Sequence, residues 1–343
     1  MINLWEYLKT ADKPIVLYGM GNGADKIISV LESYGIKYSG VFATDGFVRD
    51  KYFHGLKLTS YGDLKEKYGN MIVLVCFGSA RPEVIENIKR IAAEQELYAP
   101  DVPVYGSGLF TREYAKNHRA ELEYVYGRLA DGKSRETFRN VIEYKITGKP
   151  EYLFACETET DEPYESFLRL SGNEHFFDLG AYNGDTVSDF VGRTGNYGSI
   201  TAVEPDPKNF KKLTRFAEEL QDIRLINACI SDKCGEKSFS VHGGRNSAAG
   251  GSELIRSVTV DSLSKPTPPT YIKMDIEGSE SEAIKGAENT IKCFKPKMLI
   301  SCYHRTEDLF KLPIEVDKIR NDYKLYLRHF PSVPEWEMNY YFI

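Results

Sequence analysis

The residues best suited to chemistry stand in one run, Phe176-Phe177-Asp178-Leu179-Gly180-Ala181-Tyr182-Asn183-Gly184-Asp185-Thr186, where a short apolar stretch meets a glycine turn. A glycine turn after a strand lets a nucleoside approach the backbone closely. Asp178 is an acid two residues before the first glycine. A dinucleotide site usually keeps that strand apolar, because the pyrophosphate rests on the next helix N-terminus. A carboxylate there repels phosphate. It suits a phosphate-free cation, such as the ammonium and sulfonium of S-adenosylmethionine.

A second acid ends the next apolar run, Thr201-Ala202-Val203-Glu204-Pro205-Asp206. Glu204 follows Gly184 by 20 residues, where a carboxylate can accept both ribose hydroxyls. Alone this does not separate NAD from S-adenosylmethionine; with Asp178 it favours the latter. Two more stretches end on the same side of the expected sheet. Tyr271-Ile272-Lys273-Met274-Asp275-Ile276-Glu277-Gly278-Ser279-Glu280 brings Asp275 and Glu277, and Leu299-Ile300-Ser301-Cys302-Tyr303-His304-Arg305 brings His304.

These stretches need strands to carry them. Apolar runs at 176–179, 200–203, 224–228, 271–274 and 298–302 read as strands with helices between them. Phe210, Leu213, Phe216 and Leu220 share one helical face, as do Ile284, Ala287, Ile291 and Phe294. The tail holds two more strand-like runs, 324–330 and 338–343, which predict a terminal antiparallel hairpin. An earlier opening of the same kind, Ile15-Val16-Leu17-Tyr18 before Gly19-Met20-Gly21-Asn22-Gly23-Ala24, starts a first α/β unit. Its strands read as 39–43, 71–76 and 102–105 besides the first, giving a small parallel sheet of four or five strands. The expected organisation is a Rossmann-like domain over 1–110, a helical linker over 111–150 packed on the second domain, and a catalytic α/β domain over 151–343.

Composition agrees with two globular domains: 343 residues, 42% hydrophobic and 27% charged, leave room for a sizeable core. Lys and Arg number 44 against 50 Asp and Glu, a balance that argues against a large duplex-DNA footprint. The run after residue 274 also lacks the Pro-Pro-aromatic pattern that would hold a flipped base. No nucleic-acid partner is expected. The longest apolar run, 71–77, falls far short of the roughly 20 residues that span a bilayer. Residues 1–13 lack the features of a signal peptide, and the six cysteines form no C-x-x-C pair. Both point to a reducing, cytoplasmic setting.

The acid-Leu-Gly-Ala, Val-Glu-Pro and Lys-Met-Asp-Ile-Glu-Gly stretches, with the run ending at His304, resemble in order the FkbM family of S-adenosylmethionine-dependent methyltransferases. The resemblance covers roughly 161–343. It implies a class I methyltransferase fold, a seven-stranded mixed sheet ending in an antiparallel hairpin. It also implies O-methylation of a sugar, glycan or related small molecule. Carried over, Asp178, Gly180 and Gly184 form the methionine-binding turn, Glu204 holds the ribose, and Asp275 lies near the transferred methyl. Ala181, Tyr182, Asn183, Thr186 and Pro205 complete the candidate cofactor contacts. Tyr182 stands where the general class I turn often has glycine, a position from which it could cover the cofactor or face the acceptor.

Methyl transfer from a sulfonium is an in-line displacement, so positioning dominates. A hydroxyl acceptor gains from a base that takes its proton. Among the six histidines His304 is best placed, with Asp275 as the alternative or orienting partner. The plainer readings are a loop hydrogen bond for His304 and a helix N-cap for Asp275. Asp275 and Glu277 lack a third ligand at useful spacing, so no metal is expected. His242, Gly243, Gly244, Arg245, Gly250 and Gly251 form a loop that could close over the acceptor.

In the first domain, Gly19-x-Gly21-x-x-Ala24 with Asp45 21 residues later follows the dinucleotide pattern. It would suit a bound nucleotide or nucleotide sugar. The alternatives are a scaffold or a homodimer interface, and for the whole chain an NAD-linked oxidoreductase or a non-catalytic binding protein. Because the candidate site lies wholly after His175, a chain starting near Arg112 is expected to fold and bind cofactor by itself.

Overall fold

The computed structural model describes residues 3–44, 51–240, 248–249 and 253–343. Asp45, His242, Gly243, Gly244, Arg245, Gly250 and Gly251 lie outside the described residues. The first sheet holds β1 (Ile15–Tyr18), β2 (Gly40–Phe42), β3 (Tyr52–Phe53), β4 (Leu56–Thr59), β5 (Ile72–Val75) and β6 (Glu96–Tyr98) in the order β3-β4-β2-β1-β5-β6. All pairings are parallel except the β3–β4 hairpin. β1 and β5 are buried along their whole length, as their unbroken apolar composition requires of central strands.

Two expectations change here. The closing strand is Glu96–Tyr98 rather than 102–105, which is a loop. Pro103 has no amide hydrogen for a ladder, whereas Glu96, Leu97 and Tyr98 pair with Ile72, Val73 and Leu74. The hairpin at β3 and β4 adds a sixth strand that the apolar pattern did not mark.

The second sheet holds β7 (His175–Leu179), β8 (Ser199–Val203), β9 (Ile223–Ile226), β14 (Tyr271–Met274), β15 (Lys297–Ser301), β16 (Leu325–His329) and β17 (Met338–Phe342). Its order is β16-β17-β15-β14-β7-β8-β9. Only β17 runs antiparallel to its neighbours, which gives the seven-stranded mixed sheet with a terminal hairpin. The expected strand 224–228 is Ile223–Ile226, ending two residues earlier. β10 (Cys229–Ile230) leaves this sheet and joins β11 (Gly235–Ser240), β12 (Ala248–Ala249) and β13 (Glu253–Val258) in a small sheet of its own. The helical face from Ile284 to Phe294 also breaks in two, at Glu280–Lys285 and Glu288–Phe294. Gly286 packs so closely that an added Cβ would lie 2.2 Å from the Ser231 carbonyl oxygen, and Phe294 points outward, 53% exposed.

Three helices, Arg112–Asn117, Arg119–Arg128 and Gly132–Thr147, join the two sheets. Asp131 caps the last of them through the Ser134 amide, and Gly148 ends it in the left-handed region. They pack on the second sheet, as expected. Arg128 binds Asp317 through Nε and Nη2 at 2.7 and 3.0 Å. Arg328 on β16, fully buried, donates to Asp131 and Glu162 at 2.6 and 2.7 Å.

The helices also pack on the first sheet. One apolar cluster runs from Val16, Tyr18 and Val73 through Phe110, Val125 and Phe138 to Ile272, Ile300 and Leu327. The interface is reinforced by paired backbone bonds between Ser79 and Val333, at 2.9 and 3.0 Å. The buried Lys145 ammonium bonds Glu335 of the terminal hairpin and Asp101 of the first domain, the latter at 3.3 Å. The two sheets therefore share one core cluster, and each also keeps a cluster of its own. No helix among the described residues is long and apolar enough to cross a membrane.

A shared core predicts one cooperative unfolding event. Urea unfolding of the full chain should give coincident transitions by tryptophan fluorescence and far-ultraviolet circular dichroism. A chain starting at Arg112 would strip Asp101 from Lys145, Ser79 from Val333, and Val16, Tyr18 and Val73 from the shared cluster, and should lose that cooperativity. Two resolved transitions in the full chain, or a cooperative truncated one, would contradict the shared core.

Candidate active site

The carboxyl ends of β7, β8, β14 and β15 open onto a cavity of about 260 Å³, at the edge where open α/β sheets bind ligands. Gly180, Tyr182, Thr186, Glu204, Pro205 and Asp275 line it. The turn after β7 is built on close approach. Gly180 has φ +90°, and an added Cβ would lie 1.9 Å from the Asp275 carbonyl oxygen. Gly184 has φ +95° and caps the helix Asp185–Thr194; its Cβ would meet the Phe216 ring at 2.3 Å. Tyr182 sits between them at φ +47°, a left-handed conformation that glycine adopts more readily. Its amide donates to Glu204 Oε2 at 2.9 Å, which holds the strained residue in place.

Glu204 is buried and also accepts from the Asp206 amide through Oε1 at 2.9 Å. Burial outweighs these two bonds and pushes its carboxyl up to about 7. Asp178 is fully buried, and neither of its oxygens has a hydrogen-bond partner. Burial pushes it up to about 6 despite the Lys273 ammonium 3.6 Å away. Lys273 is the ladder partner of Asp178 across β7 and β14. It lines the cavity, whereas Asp178 stands behind the wall. Ala181, Asn183 and Gly184 are also outside the lining and shape the turn.

His304 lies beneath the loop after β14, completely buried and off the cavity surface. Nδ1 is 3.0 Å from Glu280 Oε1; Nε2 is 3.5 Å from Asp275 Oδ1 and 3.6 Å from Glu277 Oε2. Burial alone would favour neutral imidazole, but the Glu280, Asp275 and Glu277 carboxylates outweigh it and push His304 up to about 10. At neutral pH it is an imidazolium. Asp275 is held below the usual carboxylate range, because Lys273 and His304 outweigh its burial. The Tyr303 hydroxyl donates to its Oδ1 at 3.1 Å. Glu277 differs: burial dominates, His304 only partly offsets it, and its carboxyl rises to about 7.

Asp275, Glu280 and His304 each bring one ligand atom within 4.8 Å of the others, the set a divalent ion could use. Spacing alone missed Glu280 and thus this third partner. The expectation that no third ligand stands at useful spacing is corrected: the fold brings Glu280 and His304 to Asp275. The sequence reading also missed Lys273, Tyr303 and Glu337, all of which line the cavity. Tyr303 and Lys273 were legible only as neighbours of His304 and Asp275.

The first domain's glycine turn is accounted for by packing. Gly19 lies against the Phe77 ring, 2.5 Å from an added Cβ, and Gly23 lies equally close to the Cys76 carbonyl oxygen. Gly21 caps the helix Asn22–Ser33.

Residues 178–327 match the family model described as methyltransferase FkbM domain. Over these residues the chain is similar to the FkbM methyltransferase domain. A solved structure of methyltransferase FkbM from Methylobacillus flagellatus KT superposes with a TM-score of 0.74 at 23% identity, over 96% of this chain and 90% of that one. The fold is therefore shared across both domains. A precorrin-6y C5,15-methyltransferase from Geobacter metallireducens GS-15 matches at 14% identity over 51% of this chain and 81% of its own, with a TM-score of 0.34. Fibrillarin from Aeropyrum pernix with natively bound S-adenosyl-L-methionine matches at 14% identity over 50% and 67%, with a TM-score of 0.33. No curated protein matches the sequence.

The glycine turn after β7 gives a paired test. Gly180→Ala should cost on the order of 2–4 kcal/mol, because Cβ meets backbone at a left-handed position. Tyr182→Gly, which relieves a left-handed residue, should change stability by less than about 1 kcal/mol. Denaturant midpoints of the two variants measure both; a neutral Gly180→Ala would contradict the close approach.

Proposed function

We propose that the chain is an S-adenosylmethionine-dependent methyltransferase that methylates a hydroxyl of a sugar, glycan or related small molecule. The observation that carries the reading is the lining at the glycine turn, where the carboxyl groups of Asp185, Glu204, Asp275, Glu277 and Glu337 outnumber one cation, Lys273, which is itself paired with the buried Asp178. Such a lining repels phosphate and attracts a cation. The residues fit the cofactor. Glu204 keeps lone pairs for ribose hydroxyls beyond the two amides it already accepts. Ala228, Cys229 and Ile230 give the apolar wall an adenine ring needs.

The bound cofactor supplies an electrophilic methyl group on a sulfonium. The chain's own task is to hold the acceptor oxygen in line and take its proton. We assign the base to Glu277, which lines the cavity and whose carboxyl is raised to about 7; a base matched to neutral pH is the efficient one. Asp275, held ionised, orients the acceptor with Tyr303. His304, the base expected from the sequence, acts as a positioning residue instead. Its nitrogens face carboxylates and its proton is held to about 10.

Calorimetry on the full chain should show S-adenosylhomocysteine binding and no NAD binding at this turn. Glu204→Ala should weaken it by about 1.5–3 kcal/mol through lost charge-assisted hydrogen bonds. With an acceptor in hand, kcat/KM should rise with pH through about 7, because only the ionised Glu277 accepts a proton. Glu277→Gln should lower turnover by about 10²–10⁴-fold and flatten that profile. NAD binding in place of S-adenosylhomocysteine would overturn the reading; an unchanged profile in the variant would remove Glu277 from it.

A further inference from the structure

We propose that the acceptor binds in a cleft between the two domains, and that this cleft takes uncharged or cationic polyhydroxyl compounds and turns away phosphorylated ones. The inference rests on the methyl-transfer reading above. A second cavity of about 250 Å³ adjoins the first and shares Glu277, Tyr303 and Glu337 with it. A molecule in it therefore meets the proposed base at the point where the two spaces join. Its other walls come from Gly78, Ser79 and Ala80, which follow β5 of the first domain, and from Ser332 and Trp336 of the terminal hairpin. The first domain is thus part of the acceptor site.

The walls are built rather than incidental. The Ser79 and Val333 backbones exchange two hydrogen bonds, which fixes one domain against the other at the cleft. Gly78 lies directly under the Trp336 indole: an added Cβ would fall 2.2 Å from its ring. That contact seats the indole, 37% exposed, as a platform. Aromatic platforms accept the apolar faces of ring compounds.

The charges in the lining are the carboxylates of Glu277 and Glu337, with no Lys or Arg beside them. Carboxylates accept hydrogen bonds from hydroxyls and ammonium groups and repel phosphate. The nearby cations stand off the lining, held by their own bonds, and of these Lys26, beside Val104, offsets part of the negative charge at Glu277. Lys26 Nζ donates to the Pro103 and Val104 carbonyls at 3.2 and 2.5 Å, and Arg305 Nε to the Gly278 carbonyl at 2.7 Å. Lys273 faces Asp178, and Arg81 pairs with Glu83 outside the lining.

The test uses the full chain with Trp5→Phe, which leaves Trp336 as the sole tryptophan. Collisional quenching with caesium and iodide, in the presence of S-adenosylhomocysteine, reads the sign of the field in the cleft. Caesium should quench several-fold better than iodide; equal or stronger iodide quenching would overturn the proposal. A labelled-methyl screen over matched neutral, amino and phosphorylated sugars should label neutral or amino members. Label only in phosphorylated members, or in none, would overturn the substrate class. Gly78→Ala and Trp336→Leu should each lower labelling about tenfold or more and keep S-adenosylhomocysteine affinity within about twofold. Unchanged labelling in both would remove the cleft from the acceptor site. Loss of S-adenosylhomocysteine binding by the parent chain would strike the methyl-transfer reading instead, while quenching would still judge the cleft.

Discussion

A single buried imidazolium organises the end of the second sheet. His304 stands under the loop after β14 with Glu280 on one side and Asp275 and Glu277 on the other. Its own carbonyl accepts the Tyr105 amide of the first domain at 2.9 Å. Glu280 in turn accepts the Ile276 amide at 3.0 Å, which ties the loop back on itself. Removing one partner of such a buried pair generally costs about 3–5 kcal/mol, because the other charge stays behind unpaired. Its charge, with that of Lys273, keeps Asp275 ionised and faces Glu277, and its backbone carbonyl ties the first domain beside the site.

The rest of the site follows from strand ends and close packing. Gly180 lets the turn after β7 touch the backbone of Asp275, so the cofactor turn and the acidic loop form one surface. Lys273 answers Asp178 across the ladder and balances a carboxylate that burial would otherwise neutralise. The first domain closes the structure from the opposite side, through Ser79 on Val333 and the Lys145 ammonium between Asp101 and Glu335. This arrangement explains why one apolar cluster runs through both sheets.

Much of this was legible in the sequence where local pattern decides. The apolar runs before Gly19 and Gly180 marked both first strands, and the tail marked its hairpin. Glu204 followed from its spacing after the glycine turn and Asp275 from its place at the end of a strand, and both line the cavity. What escaped depends on register and on packing between distant segments. Nothing in the local sequence places Lys273 opposite Asp178, or Glu280 against His304. The shift of the last strand of the first sheet from 102–105 to Glu96–Tyr98 is a matter of ladder pairing, not of hydrophobicity. The shared core was invisible for the same reason: its members come from both sheets and from the helices between them.

The account stands or falls on the charge of His304. Nitrogen-15 and carbon-13 NMR of the histidine-labelled full chain, with His304→Gln to assign the signal, reads it directly. The resonance should keep imidazolium shifts from pH 6 to beyond pH 8, as a group pushed up to about 10 must. A neutral tautomer at pH 7 would contradict the account and return His304 to the role of base.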